Sequence, residues 1–388
     1  MREAHPVGLD RRGRQLALLD RRPQPAVDRV VGREVARRLG DVGGGQRVLL
    51  VGVVRGQIAD ADFAKKARAG YTDDTRLCLS CNQECVGRMG LNRWLGCIEN
   101  PRTGRESEGV GSVRLTLAPR SVLIVGAGPA GLQAAIAAAR NGHRVTVLER
   151  ATEAGGQVRL AASVPNRAEF GDLVRNQVSE CRRLGVAVEY GVEADAAEIR
   201  RRNPDRVVIA TGARAARPWW APGDAEWIVD VRDVLEGRAQ PTGSVIVLDE
   251  IGFHHATSVA ELLADRGCSV EVITPGMVVG QDLGITLDME NWWIRAGAKG
   301  IVQSTELVPM GVTDTEGTHT IDFQHHPTGQ MRQRVADWMV LAVPADPVEE
   351  LYLELRDAGV AVERVGDCVA PRRAHAAVVE GERAGAAI

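Results

Sequence analysis

The chain of 388 residues is long enough for two or three domains, and its 44% hydrophobic and 26% charged residues are typical of a globular protein with a sizeable core. A formal net charge of −3 gives no field that would attract nucleic acid or anionic lipid, so we expect neither as a partner. Because no apolar run approaches the roughly 20 residues of a membrane span and the first residues lack a secretory-signal pattern, we expect a cytoplasmic protein without membrane segments.

The first 50 residues show no pattern of a regular fold. They contain eleven arginines, no lysine and no aromatic residue, and their apolar positions follow neither the strand period of 2 nor the helix period of 3.6. We therefore assign them no structure. A valine-rich run over 48–54, followed by a polar segment over 60–70, predicts one strand and one helix.

Four of the seven cysteines lie close together, at Cys78, Cys81, Cys85 and Cys97. In a reducing compartment such crowding indicates metal ligation rather than disulfides. Thiolates are soft ligands that suit either a structural zinc ion or an iron–sulfur cluster. Two C-x2-C pairs would favour zinc, whereas here a single ligand after a long loop replaces the second pair. The spacing therefore favours a 4Fe–4S cluster, with zinc as the alternative.

After a Gly/Glu/Ser-rich connection, strands and helices alternate. A strand over 121–125, a helix over 131–141 and a strand over 145–148 predict a parallel sheet. A second strand–helix–strand copy follows, over 245–248, 256–266 and 270–273. The chain therefore carries an internal duplication of a dinucleotide-binding unit. The last forty residues, with a closing helix from about Ala374, are expected to complete the first unit.

Gly126, Gly128 and Gly131 form a G-x-G-x-x-G motif between an apolar strand and a helix, which is the context of a dinucleotide-binding loop. The first glycine permits the tight turn, the second lets the backbone approach a pyrophosphate, and the third lets helix and strand pack closely. The helix N-terminus favours the phosphate charge. Glu149, 23 residues after Gly126, ends the next strand, where its carboxylate can accept hydrogen bonds from ribose hydroxyls.

The second unit has lost this motif. Aligning its first strand with that of the first unit places Asp249, Ile251 and His254 where the three glycines stand. Ile251 would crowd a pyrophosphate, and the carboxylates of Asp249 and Glu250 would repel it. The sequence therefore argues against tight binding of NAD(P)H in the usual pose. We expect His254 and His255 to be polar residues at a helix start, with a role as ligands or proton carriers as the alternative.

Three further short motifs favour FAD over NAD as the bound dinucleotide. They are Gly156 with Gln157, Thr211 with Gly212, and Gly366 with Asp367. Their order and spacing resemble the flavoprotein disulfide reductase-like families. That resemblance implies that Gly366 and Asp367 touch the ribityl chain and that the Thr-Gly turn lies near the cofactor.

Short pairs also flank the cysteines. Asn82 and Gln83 follow the second cysteine, Asn100 and Pro101 follow the fourth, and 371–375 is Pro-Arg-Arg-Ala-His. With the cysteine spacing, these residues make the chain from about residue 52 onward resemble the rear part of the iron–sulfur flavoenzymes related to 2,4-dienoyl-CoA reductase and trimethylamine dehydrogenase. These enzymes belong to the old yellow enzyme superfamily, and the likeness extends to a mycofactocin-associated branch.

The resemblance implies an FMN-containing TIM barrel before the first cysteine, with electrons passing among FMN, the cluster and a second cofactor. A barrel needs on the order of 250 residues, and this chain has only the stretch up to Leu77. Residues 51–77 resemble the last strand–helix unit of that barrel, in which Arg55 would contact the FMN phosphate. We hypothesise that residues 1–50 derive from a truncated or frame-shifted gene model; the alternative is a genuine short variant.

The fold predicted from these features is α/β, with an FAD-binding Rossmann domain, an inserted second Rossmann-like domain, an iron–sulfur loop and a barrel remnant. The predicted regions are 1–50 (unassigned), 51–77 (barrel remnant), 78–119 (iron–sulfur loop and linker), 120–238 with 345–388 (FAD-binding domain), and 239–344 (NAD(P)-binding-like domain).

The expected activity is that of an iron–sulfur flavoprotein oxidoreductase similar to NADH:flavin oxidoreductases and 2,4-dienoyl-CoA reductase, which passes electrons between flavin and a 4Fe–4S cluster. One alternative is dehydrogenation of an amine, as in trimethylamine dehydrogenase. The other is an electron-transfer fragment without turnover, since FMN binds only if a complete barrel is present. A small-molecule substrate and an electron donor or acceptor protein are the implied partners, and the catalytic residues stay unassigned.

Overall fold

The computed structural model describes residues 53–71, 73–110, 112–315 and 317–388. The unassigned stretch 1–50 lies outside these residues. In the described part of the chain the helices are α1 Val54–Ala59, α2 Phe63–Arg68, α3 Val86–Gly90, α4 Pro129–Arg140, α5 Gln157–Ser163, α6 Gly171–Arg183, α7 Ala196–Arg202, α8 Val231–Leu235, α9 His254–Asp265, α10 Met289–Ala298, α11 Glu350–Asp357 and α12 Ala374–Ala387.

The same residues form strands that are numbered here in chain order. They are β1 Ser121–Val125, β2 Arg144–Glu149, β3 Ala187–Tyr190, β4 Arg206–Ile209, β5 Ala213–Arg214, β6 Ile228–Asp230, β7 Ser244–Asp249, β8 Ser269–Ile273, β9 Val302–Ser304, β10 Leu307–Thr315, β11 Thr318–His325, β12 Gln330–Val335, β13 Trp338–Ala342, β14 Asp346–Pro347 and β15 Val362–Arg364.

The segment before the cysteines differs from its prediction. Most of the strand predicted over 48–54 lies outside the described residues, and its last residue, Val54, instead begins α1 because the main chain there closes helical hydrogen bonds. The helix predicted over 60–70 is the shorter α2. It starts later because the Asp60 carboxylate accepts the Asp62 N–H at 3.0 Å and holds a turn before it.

The first sheet has five parallel strands in the order β15-β4-β1-β2-β3. Successive residues of β1 point to opposite faces, so that Val122 and Ile124 join one hydrophobic cluster and Leu123 and Val125 join another. Helices α4 and α6 cover the first face, and α7 and α11 cover the second. A strand buried on both faces has an uninterrupted apolar sequence. The parallel α/β arrangement predicted from strand–helix alternation is confirmed.

The second sheet repeats this topology, in the order β6-β13-β7-β8-β9 and again all parallel. Its strand β7 occupies the place of β1, with β8 and β13 on either side as β2 and β4 flank β1. Strand β6 precedes residue 239, where the second domain was predicted to begin, yet it pairs with β13 of this sheet. The second Rossmann-like unit therefore recruits a strand from upstream.

An antiparallel sheet of β10, β11 and β12 covers one face of the second sheet and was not predicted. Leu307, Ile321 and Phe323 of this small sheet pack against Ile246 and Leu248 of β7. Strand β12 leaves most of its side chains exposed, so the sequence there has little strand-like alternation. Among the described helices, none has the length and apolar character needed to cross a membrane.

Helices α4 and α12 lie in direct backbone contact. A Cβ atom built on Gly381 would stand 2.2 Å from the Ala130 carbonyl oxygen, and one on Gly385 would stand 2.2 Å from that of Ala134. Only glycine fits at both places, because no real Cβ atom approaches an oxygen so closely. The closing helix predicted from Ala374 thus completes the first unit by packing tightly on α4.

Replacing Gly381 by alanine is expected to lower the free energy of unfolding by about 2 kcal/mol, because the added methyl group would force α12 away from α4. Urea unfolding followed by circular dichroism measures the change. Gly297→Ala is the matched control, since α10 leaves open space around that glycine. Equal stability of the two variants would show that the close helix contact does not exist.

Candidate cofactor sites

Close contacts with the backbone require two of the three glycines in the loop between β1 and α4, but not the third. Gly126 has φ +108°, and a Cβ there would stand 2.3 Å from the Ala210 oxygen. A Cβ on Gly131 would stand 2.0 Å from the Gly126 oxygen. Around Gly128, by contrast, no atom of the described residues lies within 4 Å of the Cβ position. The fold itself requires the first and third glycines, whereas the second leaves open space at the N-terminus of α4.

The Glu149 side chain is tied to this loop. One carboxylate oxygen accepts the Ala127 N–H at 2.7 Å, and the other accepts the Ala151 N–H at 2.8 Å. The residue predicted to contact a ribose thus lies at the end of β2, directly beside the glycine loop.

A second glycine turn, at Gly155 and Gly156, packs against the glycine loop that follows β1. Gly155 donates its N–H to the Ala127 oxygen at 2.9 Å, and Gly156 has φ +50° with its Cβ position 3.6 Å from the Gly128 Cα. Gln157, the next residue, begins α5 and donates from Nε2 to the Asp367 carboxylate at 3.1 Å. The structure therefore brings together predicted site residues that are more than 200 positions apart.

Gly366 and Asp367 form a turn against the start of α4. Gly366 has φ +74°, and a Cβ there would lie 2.7 Å from the Ala130 methyl carbon. The Asp367 carboxylate also accepts the Arg372 N–H at 3.1 Å. Burial raises the pKa of Asp367 against the opposing effect of these hydrogen bonds and charges.

Thr211 and Gly212 follow the end of β4. The Thr211 hydroxyl donates to the Val348 oxygen at 2.6 Å, and the Gly212 oxygen accepts the Val348 N–H at 3.0 Å. This turn therefore lies at the carboxyl edge of the first sheet, next to the glycine loop that contacts Ala210.

The four clustered cysteines line a single cavity together with Arg55 and other residues. Backbone N–H groups point at the thiols: Ser80 donates to the Cys78 sulfur at 3.4 Å, and Gln83 donates toward Cys81. Burial raises the pKa of Cys81, and it raises the pKa of Cys97 to about 12. Within the described ranges, no three His, Cys, Asp or Glu side chains converge closely enough to hold one metal ion.

Arg55 lies at this cavity. Its Nη1 donates to the Asn82 side-chain oxygen at 3.3 Å, and Asn82 in turn donates to the Thr286 oxygen at 3.0 Å. The structure thus places Arg55 beside the cysteine loop, and the predicted contact of Arg55 with FMN phosphate stays a prediction.

Arg76 links the cysteine loop to the first sheet and was not anticipated from the sequence. Its guanidinium donates to the Glu99 backbone oxygen at 2.7 Å and forms an ion pair with Glu180 of α6. Burial opposes ionisation of Glu180, but the charges of Arg76 and Arg140 prevail and lower its pKa to about 2. At Glu99 burial prevails instead and raises the pKa to about 8.

The corresponding loop of the second unit is filled by its own side chain. The fully buried Asp249 carboxylate accepts the N–H groups of Gly252 and Gly280, each at 2.8 Å. His254 begins α9, as predicted, and its Nδ1 lies 2.6 Å from Arg167 Nη2, which also bonds Asp288 at 2.8 Å. Asp249 therefore occupies N–H donors at the place where the first unit leaves space.

Residues 120–370 match the family described as pyridine nucleotide-disulphide oxidoreductase. The chain belongs to this family. Its members are flavin-dependent oxidoreductases, and the chain shares their FAD-binding type of Rossmann fold.

Three relatives show how far the similarity extends. The N,N-dimethylglycine/sarcosine dehydrogenase of Chromohalobacter salexigens is 31% identical over 87% of this chain and 54% of its own length. The NADH oxidase of Thermoanaerobacter brockii is 33% identical over 83% of this chain and 49% of its length. The 6-hydroxypseudooxynicotine amine oxidase of Pseudomonas geniculata N1 superposes with a TM-score of 0.80, at 28% identity, over 87% of this chain and 52% of its own.

These similarities confirm the family resemblance that the sequence motifs gave. This pyridine nucleotide-disulphide oxidoreductase family member spans about half the length of the curated relatives it matches.

Proposed function

We propose that this chain forms the electron-transfer half of an iron–sulfur flavoenzyme, holding FAD at the first Rossmann unit and a 4Fe–4S cluster on its four clustered cysteines. The observation that carries the proposal is the combination of four thiols around one cavity with an open phosphate-binding glycine loop in the same chain. Crowded free thiols of this kind belong in a reducing compartment, so we place the protein in the cytoplasm.

The residues of the first unit fit FAD. The space above Gly128, at the N-terminus of α4, suits a pyrophosphate, and Glu149 lies where a ribose would be held. We assign Gly366 and Asp367 to the ribityl chain, with supporting roles for the remaining predicted residues, which are Gly126, Gly131, Gly156, Gln157, Thr211 and Gly212. When bound, the flavin supplies two-electron redox chemistry that can be divided into one-electron steps.

The cysteine cavity fits an iron–sulfur cluster better than zinc. All four thiols line one cavity, and a single ligand after a long loop stands where a zinc site would have its second C-x2-C pair. The N–H groups of Ser80 and Gln83 support thiolates by donating toward sulfur. A bound cluster supplies one-electron transfer.

Replacing Cys85 by serine is expected to remove iron, acid-labile sulfide and the broad visible absorption of the cluster, while FAD stays bound. Anaerobic purification followed by iron, sulfide and flavin analysis measures the three together. Cys268→Ser is the control, since that thiol contacts the Pro241 oxygen and is not among the residues that line the cavity. Stoichiometric zinc without sulfide in the unaltered protein would refute the cluster.

Replacing Gly128 by valine is expected to release FAD, because the new side chain would fill the space assigned to the pyrophosphate. The fold should survive, since in the part of the chain that the structure describes no atom lies within 4 Å of the added Cβ. The ratio of flavin absorbance to protein measures retention. Gly223→Val, at another open glycine, is expected to keep its FAD. A Gly128→Val protein with a full complement of FAD would show that this loop holds no pyrophosphate.

For the complete enzyme we propose oxidation of an amine, with FMN and the small-molecule substrate bound by the barrel and Arg55 at the FMN phosphate. The dehydrogenase and amine oxidase relatives support electron flow from an amine, whereas the NADH oxidase relative supports electron flow from NADH. Asp249 favours amine oxidation, because a buried carboxylate held in the second loop would repel the pyrophosphate of a nicotinamide cofactor. Electrons would then leave through a protein acceptor.

Under anaerobic conditions, NADH and NADPH are therefore expected to leave the flavin absorption unchanged, while dithionite bleaches it. Stopped-flow absorbance with each reductant in excess provides the measurement. Stoichiometric bleaching by either nicotinamide cofactor would contradict the amine-oxidising direction and favour the reductase alternative.

A further inference from the structure

Arg232 of α8 joins the second unit to the predicted flavin site. Its Nη1 donates to both Asp230 carboxylate oxygens, at 3.0 and 3.1 Å, and its Nε and Nη2 both donate to the Gln157 side-chain oxygen, at 3.2 and 2.9 Å. The Arg232 side chain is only 15% exposed, and that of Asp230 only 4%. The guanidinium is therefore fixed by a buried carboxylate and reaches across to α5.

This contact determines which way the Gln157 amide faces. A guanidinium has donors only, so the oxygen of the amide must face Arg232. The amide nitrogen then faces the Asp367 carboxylate, to which it donates at 3.1 Å. The other Asp367 oxygen accepts the Arg372 N–H. A reversed amide would place two oxygens against each other, so Arg232 selects the one orientation that stabilises the Asp367 carboxylate.

We infer that Arg232 is a positioning residue for the flavin, acting through Gln157 to hold Asp367 in place. The inference rests on the proposed assignment of Asp367 to the ribityl chain. It extends that assignment to a residue of the other Rossmann-like unit, 75 positions away from Gln157 in sequence. Because Arg232 acts through Gln157 on Asp367, flavin binding in the first unit depends on how the second unit packs against it.

The test compares FAD affinity in four proteins: the unaltered chain, Arg232→Gln, Gln157→Leu and the double variant. Flavin is removed, and the apoproteins are titrated with FAD while its fluorescence is followed. Arg232→Gln is expected to weaken binding about tenfold, the size of one lost charge-assisted hydrogen bond. In the Gln157→Leu background the same change should have no further effect, because the amide through which Arg232 acts is gone.

Arg238→Gln is the matched control. Arg238 lies just beyond the same helix and pairs with Asp233, but its side chain is 58% exposed and makes no contact with Gln157 among the bonds of the described chain. It is expected to bind FAD like the unaltered protein. Thermal unfolding of the apoproteins is followed in parallel, and the inference requires that the loss of affinity exceed any change seen for this control.

Two results would overturn the inference. One is unaltered FAD affinity in Arg232→Gln, and the other is a tenfold loss that persists in the Gln157→Leu background, which would assign Arg232 a purely structural role. Failure of the proposed function would appear differently, as an unaltered chain that binds no FAD at all.

Discussion

The first Rossmann unit depends on backbone contacts that leave no room for a single carbon atom. Gly126 approaches the Ala210 carbonyl, Gly131 approaches that of Gly126, and Gly381 approaches that of Ala130. Contacts with the end of β4, with α4 and with α12 therefore fix the position of the turn after β1. Because the start of α4 cannot shift, its N-terminal N–H groups stay directed at the space beside Gly128, where a phosphate group is best stabilised.

A network of buried charged side chains connects the cysteine loop to helices α4 and α6 of the first unit. Arg76 lies two residues before the first cysteine and pairs with Glu180 of α6, which Arg140 of α4 also contacts. Glu99 lies two residues after the last cysteine, and its side-chain carboxyl group accepts a hydrogen bond from Asn176 at 3.0 Å. Removing one member of such a network leaves a buried charge without its partner, which typically costs about 3–5 kcal/mol. Ion pairs and hydrogen bonds thus connect the segment around the thiol cavity to helices α4 and α6 of the first unit.

The sequence was sufficient for features that depend on local spacing. The glycine motif at Gly126 and the alternation around β1 predicted the parallel sheet, because both arise within one strand–turn–helix segment. Features created by the tertiary fold were not predictable. Arg232 has no motif, and its contact with Gln157 exists only because α8 joins the second unit beside α5. The antiparallel sheet was missed because β12 keeps most side chains in solvent, so little apolar alternation marks it.

The two Rossmann-like units differ in the loop that follows their central strand: the first leaves an open space there, and the second places a carboxylate there. After β1 the loop leaves a space beside Gly128, while after β7 the Asp249 carboxylate already accepts two N–H groups. The sequence predicted that Asp249 would repel a pyrophosphate, and the structure adds that its buried carboxylate is held in the second loop by the N–H groups of Gly252 and Gly280. A carboxylate held this way stabilises its own loop, so the second unit no longer needs a ligand to complete it. What it supplies instead is contact with the first unit, through Arg232 to Gln157 and through Asp288 to Arg167.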